Sequence, residues 1–285
     1  MTAGAWHALA AMICFGLADL VYKRAALDGI QAHQFLAVQT WCYAPAMVGY
    51  GLATHTLVFA APAWWGALAG LLVYVGLYNF ARSLQTGSVS VNAPIFRLSF
   101  TVTAALALWL LDEPLTAYKL AGLALALAAV WLLLAGPAAS GAAPRHAHRA
   151  SLLQVLAAML LIGIANLLYK VGVRDGATPA TLLVAQAVVF ISLATGVQWL
   201  SDRRFKVPVA TWRHAPAAAA LLIAGFILLL EGLTRGEASV LVPIAQMGFV
   251  VTAALGFAVL RETLTLRKAA GLAAALAALA CLARS

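Results

Sequence analysis

Charge is the first thing this sequence lacks. Of its 285 residues 9% are Asp, Glu, Lys or Arg and 64% are hydrophobic, whereas soluble domains carry about 25% charged residues. Nine acidic and eighteen basic side chains cannot cover a water-soluble core of this length. That excludes a soluble enzyme, a nucleic-acid-binding domain and a disordered chain. Cysteine is scarce too: Cys14, Cys42 and Cys281 all lie in apolar runs, and an odd, scattered set gives neither a disulfide framework nor metal spacing. Catalytic signatures are missing: there is no His-Glu-x-x-His, no Gly-x-Ser-x-Gly, no phosphate loop and no Cys-x-x-Cys. No enzyme activity, cofactor or metal is therefore expected. His146 and His148 sit two apart without carboxylate support and read as a solvated loop. Met1 to Trp6 has no basic n-region or cleavage motif, so the first apolar run is expected to serve as the targeting element.

What is present is long apolar runs. A helical span needs about 20 apolar residues, so ten would use roughly 200. The runs predict spans at 6–22, 34–52, 63–84, 89–111 and 117–135, then at 152–169, 181–200, 217–233, 240–260 and 266–283. A Gly/Ala/Pro-rich linker is expected over 137–150, and the longest polar loop, 201–214, holds Arg203, Arg204, Lys206 and Arg213. The fold class is an all-α membrane protein of ten transmembrane helices. The net charge of +9 belongs to basic residues that end apolar runs, where they anchor helices and set orientation; it does not call for a nucleic-acid partner.

The two halves repeat. Leu17 to Lys23 matches Ile164 to Lys170, Asp28-Gly29 matches Asp175-Gly176, and Gln39 matches Gln186, all at an offset of 147. Farther on the offset is 149: Gly87 to Ile95 aligns with Gly236 to Ile244, Glu113 to Thr116 with Glu262 to Thr265, Lys119 with Lys268 and Gly122 with Gly271. A unit of five spans, 1–136 and then 151–285, enters the membrane from opposite sides in its two copies. Such inverted-topology repeats place a solute site near the midplane between the halves.

The Glu-x-Leu-Thr-x-x-Lys-x-x-Gly pattern opening span 5, its counterpart opening span 10, and the Pro-containing starts of spans 4 and 9 carry a resemblance. The chain resembles the drug/metabolite transporter superfamily, in particular its EamA-type ten-helix members, over all ten spans. The resemblance implies secondary transport, often efflux, with both termini in the cytoplasm. The four-helix small multidrug pumps that resemble one half of this fold place a proton-carrying glutamate two turns before the lysine of span 1. Phe15 and Ile162 stand there in this chain, which weighs against cation/proton exchange of that type and leaves Asp19 as the alternative carboxylate.

An ionisable side chain in mid-membrane costs on the order of 2.5–3.5 kcal/mol on insertion scales, so each one must face the bundle or a water-filled cavity. Lys23, Lys119, Lys170 and Lys268 lie at span ends, where they are expected to snorkel. Glu113 and Glu262 are expected to stabilise helix N-termini. Asp19, Arg82, Arg97 and Glu231 are harder to place at an interface. Arg97 is eight residues into span 4, about 12 Å along the axis, and aligns with Gln246. It either bridges two helices or offers a donor fork to a carboxylate or phosphate. Asp19, Tyr22 and Lys23 share a helix face, repeated by Asn166, Tyr169 and Lys170. The candidate solute-binding set is Asp19, Tyr22, Gln39, Tyr78, Asn79, Arg97, Asn166, Tyr169, Gln186 and Gln246. Arg82, Lys170 and Glu231 are candidate gating residues, with Asp19–Arg82 expected to pair at one mouth and Glu231–Lys170 at the other.

Together these readings predict an inner-membrane, multi-pass secondary transporter, in the export direction, of a small polar or zwitterionic metabolite such as an amino acid. The alternative is a flippase for a lipid-linked or polyprenyl head group. The expected partners are a small-molecule substrate, the lipid bilayer and a coupling ion such as the proton. A duplicated chain supplies both halves, so a monomer is expected. Orientation is contested: loops on the terminal side hold five basic residues and the opposite loops twelve. The positive-inside rule thus opposes the resemblance; both termini are expected on one side, with the charge count favouring the twelve-residue side as cytoplasmic.

Overall fold

In lipid every backbone polar group needs an internal partner, so an apolar chain of this kind folds as helices. The computed structural model describes residues 2–58, 61–86, 92, 95–134, 145–203, 207–248, 250–251 and 266–284. Among the described residues there are ten principal helices: α1 Ala3–Leu27, α2 Ala32–Ala53, α3 Ala63–Thr86, α4 Ser99–Leu110, α5 Ala117–Leu134, α6 Arg145–Arg174, α7 Pro179–Asp202, α8 Val209–Leu233, α9 Ala238–Gln246 and α10 Leu266–Leu282. Five of them, α1, α3, α6, α7 and α8, contain stretches long and apolar enough to cross a membrane. The linker expected over 137–150 is helical from Arg145 onward, and the 201–214 loop gives way to α8 at Val209. In both places polar residues hide the extra turns from a hydropathy reading. The later part of span 9, with Glu262, and the side chains of Lys23 and Lys268 lie outside the described residues.

The Asp-Gly turns show why the halves fold alike. After α1, Gly29 takes φ 73° and after α6 Gly176 takes φ 93°, the left-handed conformation that ends a helix most cheaply with glycine. In both turns two amides return to the helix: Gly29 and Ile30 donate to Ala26 and Ala25, and Gly176 and Ala177 to Val173 and Gly172. The following helix α7 is capped by the Thr178 hydroxyl, which accepts from the Thr181 amide, with Pro179 opening the first turn.

The two halves interlock: α1 packs on α8, α6 on α3, α2 on α7 and α5 on α10. Small residues set the closest approaches, as expected where lipid supplies no hydrophobic drive between helices. A Cβ on Gly16 would lie 2.4 Å from the Gly248 carbonyl, and one on Gly163 2.8 Å from the Ser99 carbonyl. Those two contacts are exact counterparts under the repeat offsets. So are Gly225 against Phe15 and Gly76 against Ile162. Gly66 and Gly70, one turn apart on α3, seat that helix against the backbone of Leu182 and Gln186 on α7.

Cross-half contacts sort the connections onto two faces. On the terminal face Trp65 Nε1 donates to Asp175 at 2.6 Å and the Thr178 hydroxyl to the Thr56 carbonyl at 2.7 Å. On the opposite face, called here the linker face, His33 and Gln34 reach Asp202, each at 2.9 Å, and His214 reaches Asp28 at 2.7 Å. Exposed tryptophans mark both levels: Trp6, Trp64 and Trp109 toward the terminal face, Trp131, Trp199 and Trp212 toward the linker face. They form the aromatic belts that flank a bilayer. Tyr43, Tyr74 and Tyr169 are instead buried.

The α3–α7 contact makes a direct prediction. Gly66→Ala forces a methyl to within 2.3 Å of the Leu182 carbonyl and should cost about 1–3 kcal/mol, the usual penalty for overpacking. Gly49→Ala, which meets nothing within 4 Å inside α2, should instead stabilise by about 0.5–1 kcal/mol, the usual gain of Ala over Gly in a helix. Melting of the detergent-purified variants, followed by size-exclusion recovery, checks both.

Candidate functional site

Two broken helices hold the centre of the molecule. In α9 Pro243 lacks an amide donor and crowds the preceding turn. The helix ends at Gln246, and the Met247 amide turns back to the Ile244 carbonyl at 3.2 Å. At the equivalent place ahead of α4, the Leu98 amide turns back to Ile95 at 3.1 Å. These tight i→i+3 turns inside a span mark a break. Arg97 and Gln246 are the residues just before the two breaks, and they meet: Arg97 Nη1 donates to Gln246 Oε1 at 3.0 Å. Arg97 Nη2 is paired with the Asp19 carboxylate on α1. The Arg97 side chain is 7% exposed and that of Asp19 30%.

Around this pair lies a cavity of about 640 Å³, its open part included. Its polar lining is Asp19, Tyr22, Arg97, Asn166 and Gln246; its apolar wall is mainly Phe15, Phe80, Phe96 and Phe226 with Leu77 and Ile162. Asn166, the repeat partner of Asp19, is 3% exposed. Its Nδ2 donor has no hydrogen-bond partner among the described residues. Tyr22 donates to Gln39 Oε1, so Gln39 supports the lining from behind. Tyr169 donates to Gln186 Oε1 at 2.7 Å, reproducing that pair in the other half.

The halves are not in the same state. Tyr22 is partly exposed on the cavity, whereas Tyr169 is 0% exposed; Gln39 and Gln186 are each 1% exposed. The cavity therefore runs from the midplane toward the linker face and is shut toward the terminal face. Polar contacts reinforce that closure. Lys170 Nζ donates to the Leu233 and Gly236 carbonyls at 2.9 and 2.5 Å, using carbonyls left free at the end of α8. The Glu113 carboxylate accepts from the Ala238 and Ser239 amides, both at 2.9 Å. It thus caps α9 of the other half rather than the helix it precedes.

Several expectations are corrected. Asp19 pairs with Arg97, not with Arg82, because the break before α4 brings the guanidinium against α1. Arg82 instead lies over the Tyr78 ring at 5.9 Å. Glu231 does not meet Lys170: it lies 3.9 Å from Arg235 and accepts from Tyr50 at 3.4 Å. Lys119 does not snorkel; it is 1% exposed, pairs with Glu237 and donates to the Pro114 carbonyl at 2.7 Å. Tyr78 and Asn79 are not part of the cavity lining: Tyr78 stacks on Tyr74, and Asn79 Nδ2 donates to the Val75 carbonyl of its own helix at 2.8 Å. The phenylalanine wall carried no distinguishing signal in an apolar sequence. Among the described residues no cluster of three or more His, Cys, Asp or Glu gathers that could hold a metal.

The arrangement places one buried cation and one part-exposed carboxylate side by side on the cavity. Breaking the pair from one side should be costly. Arg97→Gln leaves Asp19 uncompensated and should cost about 3 kcal/mol, the low end for a broken buried pair, since Asp19 is 30% exposed. The double variant Asp19→Asn/Arg97→Gln copies the Asn166 and Gln246 of the other half, so it should melt above the Arg97→Gln single variant. Thermal melting of both checks this.

Comparison with known proteins agrees with the geometry. A solved crystal structure superposes with a TM-score of 0.78 over 98% of this chain and 95% of that one, at 16% identity; that likeness is one of fold. An uncharacterized protein of Methanocaldococcus jannaschii is 39% identical over 59 residues, 21% of this chain. The chain spans 43% of that relative's length. The EamA-like transporter family matches twice, over residues 2–135 and 149–284. Covering both halves of an all-helical, inverted-repeat bundle with a midplane cavity, that match shows that the chain belongs to the EamA-like transporter family.

Proposed function

We propose that this transporter moves a small zwitterionic metabolite, an amino acid being the best fit, outward across the inner membrane by alternating access around the central cavity. The observation that carries the reading is the Asp19–Arg97 pair, set beside Gln246 within an apolar wall. A solute carboxylate takes the Arg97 fork, its ammonium takes Asp19, and the open Asn166 donor serves a second oxygen. A solute with one charge would strand the other partner, which is what a buried pair penalises. The phenylalanines accept an apolar body. Export is the direction that the family resemblance implies, and the inner membrane is the proposed location.

Tyr22–Gln39 and Tyr169–Gln186 are then the two faces' versions of one contact, whose tyrosines are exposed in turn. Lys170 is the proposed gating residue of the terminal face, holding α6 to the end of α8 while that face is shut. Arg82 and Glu231 stand farther out, beside Tyr78 and Tyr50. Asp19 is the carboxylate proposed to take up a proton if the cycle is ion-coupled. One chain supplies both halves, in keeping with a monomer.

Uptake of a radiolabelled amino-acid panel into proteoliposomes tests the proposal. At least one member should be carried. Arg97→Gln should cut that flux by roughly 10- to 150-fold, the 1.5–3 kcal/mol of a charged hydrogen bond. Lipid scrambling with no solute flux would contradict the solute class and favour a flippase.

A further inference from the structure

Phe226 occupies a place that none of the charged residues explains. Its ring lines the central cavity. It also meets Tyr43 at 6.3 Å and Tyr169 at 6.1 Å between centroids, both edge to face, and Phe15 at 5.4 Å. It therefore stands between the open cavity and two buried tyrosines, Tyr43 and Tyr169. The Tyr43 hydroxyl is buried and, like that of Tyr74, has no hydrogen-bond partner among the described residues; of the two, Tyr43 touches Phe226. An unpaired buried hydroxyl costs free energy, and nothing in the closed state repays it. Beside it lies the sealed Tyr169–Gln186 pair.

The repeat supplies the comparison. Phe226 aligns with Leu77 at the offset of 149, and Tyr169–Gln186 with Tyr22–Gln39 at 147. Leu77 and Tyr22 line the same open cavity. On the linker side, then, the tyrosine of the pair lines the cavity together with a leucine. On the terminal side its twin is blocked by a larger aromatic ring.

We propose that Phe226 is a plug, and that Tyr43 with the Tyr169–Gln186 pair forms an occluded second subsite that takes the hydrogen-bonding groups of a polar solute after it passes the plug. The assignment rests on the transport reading above for the identity of the ligand. The barrier itself does not depend on it. Displacing the ring joins the second subsite to the cavity, and the orphan Tyr43 hydroxyl gains its partner from the solute only at that stage.

Thiol labelling in detergent tests the plug without any solute. In a background with Cys14, Cys42 and Cys281 replaced by Ala, Tyr169→Cys reports on the subsite and Tyr22→Cys on the open cavity. Adding Phe226→Ala should speed reaction of Tyr169→Cys with a charged methanethiosulfonate about tenfold or more, since a buried position reacts only for the fraction of time it is open. Tyr22→Cys should react at its former rate. Phe226→Leu, which copies Leu77, should give a smaller rise and carries the test if the alanine variant does not fold. An unchanged rate at Tyr169→Cys would overturn the plug. So would a rise matched by a fall at Tyr22→Cys, which would mean that the whole equilibrium had moved. For the subsite, Tyr43→Phe should leave the melting temperature equal or higher, because it removes an unpaired hydroxyl, while slowing flux of a carried amino acid. Normal flux in Tyr43→Phe would overturn the subsite. If no amino acid is carried even by the parent, the solute class fails and the labelling rates alone decide the proposal.

Discussion

A guanidinium in the middle of an apolar bundle must be satisfied on several sides at once. Arg97 meets that demand with one partner from each half: the Asp19 carboxylate from its own repeat and the Gln246 oxygen from the other. Almost everything else serves this meeting. The breaks after Arg97 and Gln246 bring the two side chains onto the axis between the halves. The glycine contacts of Gly16 with Gly248 and of Gly163 with Ser99 let the broken spans approach α1 and α6 closely enough. Glu113 fixes the start of α9 from across the interface, so the Gln246 break is held in register by the opposite half.

The inverted repeat makes two states of one architecture available at small cost. Some contacts of the linker side have aligned counterparts on the terminal side, as His214–Asp28 has in Trp65–Asp175 and Tyr22–Gln39 in Tyr169–Gln186, and the two halves differ in which tyrosine faces the cavity. Tyr22 faces it here and Tyr169 does not. The substitutions between copies then decide the chemistry. Asp19 against Asn166 and Arg97 against Gln246 place both charges in the first half, so the charged part of the site belongs to one repeat while the second repeat contributes neutral donors and acceptors. On the proposed plug, Phe226 against Leu77 would make the two exits unequal.

Much of this was legible in the sequence, because duplication and span length are one-dimensional properties. The two offsets aligned Arg97 with Gln246 and Tyr22 with Tyr169 before any geometry was known, and depth alone singled out Arg97. Partner choice was not legible. Asp19 and Arg82 fall late in spans that end on one face, which suggested a pair, but only the break before α4 shows that Arg97 is nearer. Lys119 and Lys170 looked like snorkelling residues at span ends. α6 continues past its expected end to Arg174, Lys119 lies in the first turn of α5, and carbonyls of Pro114, Leu233 and Gly236 hold the two ammonium groups inside. Phe226 was one apolar residue among many; its role depends on what touches its two sides, which no periodicity records.

The central claim is that the Asp19–Arg97 pair is exchanged for the two charges of a zwitterion. Equilibrium binding to the purified transporter tests it most directly, by comparing a carried amino acid with its methyl ester and with its des-amino acid. Each analogue keeps the apolar body and loses one charge. The expected result is that both bind at least about tenfold more weakly, one stranding Arg97 and the other Asp19, in line with the worth of a charged hydrogen bond. Equal affinity for all three would contradict the exchange and leave the ion pair a structural bridge between α1 and the break before α4.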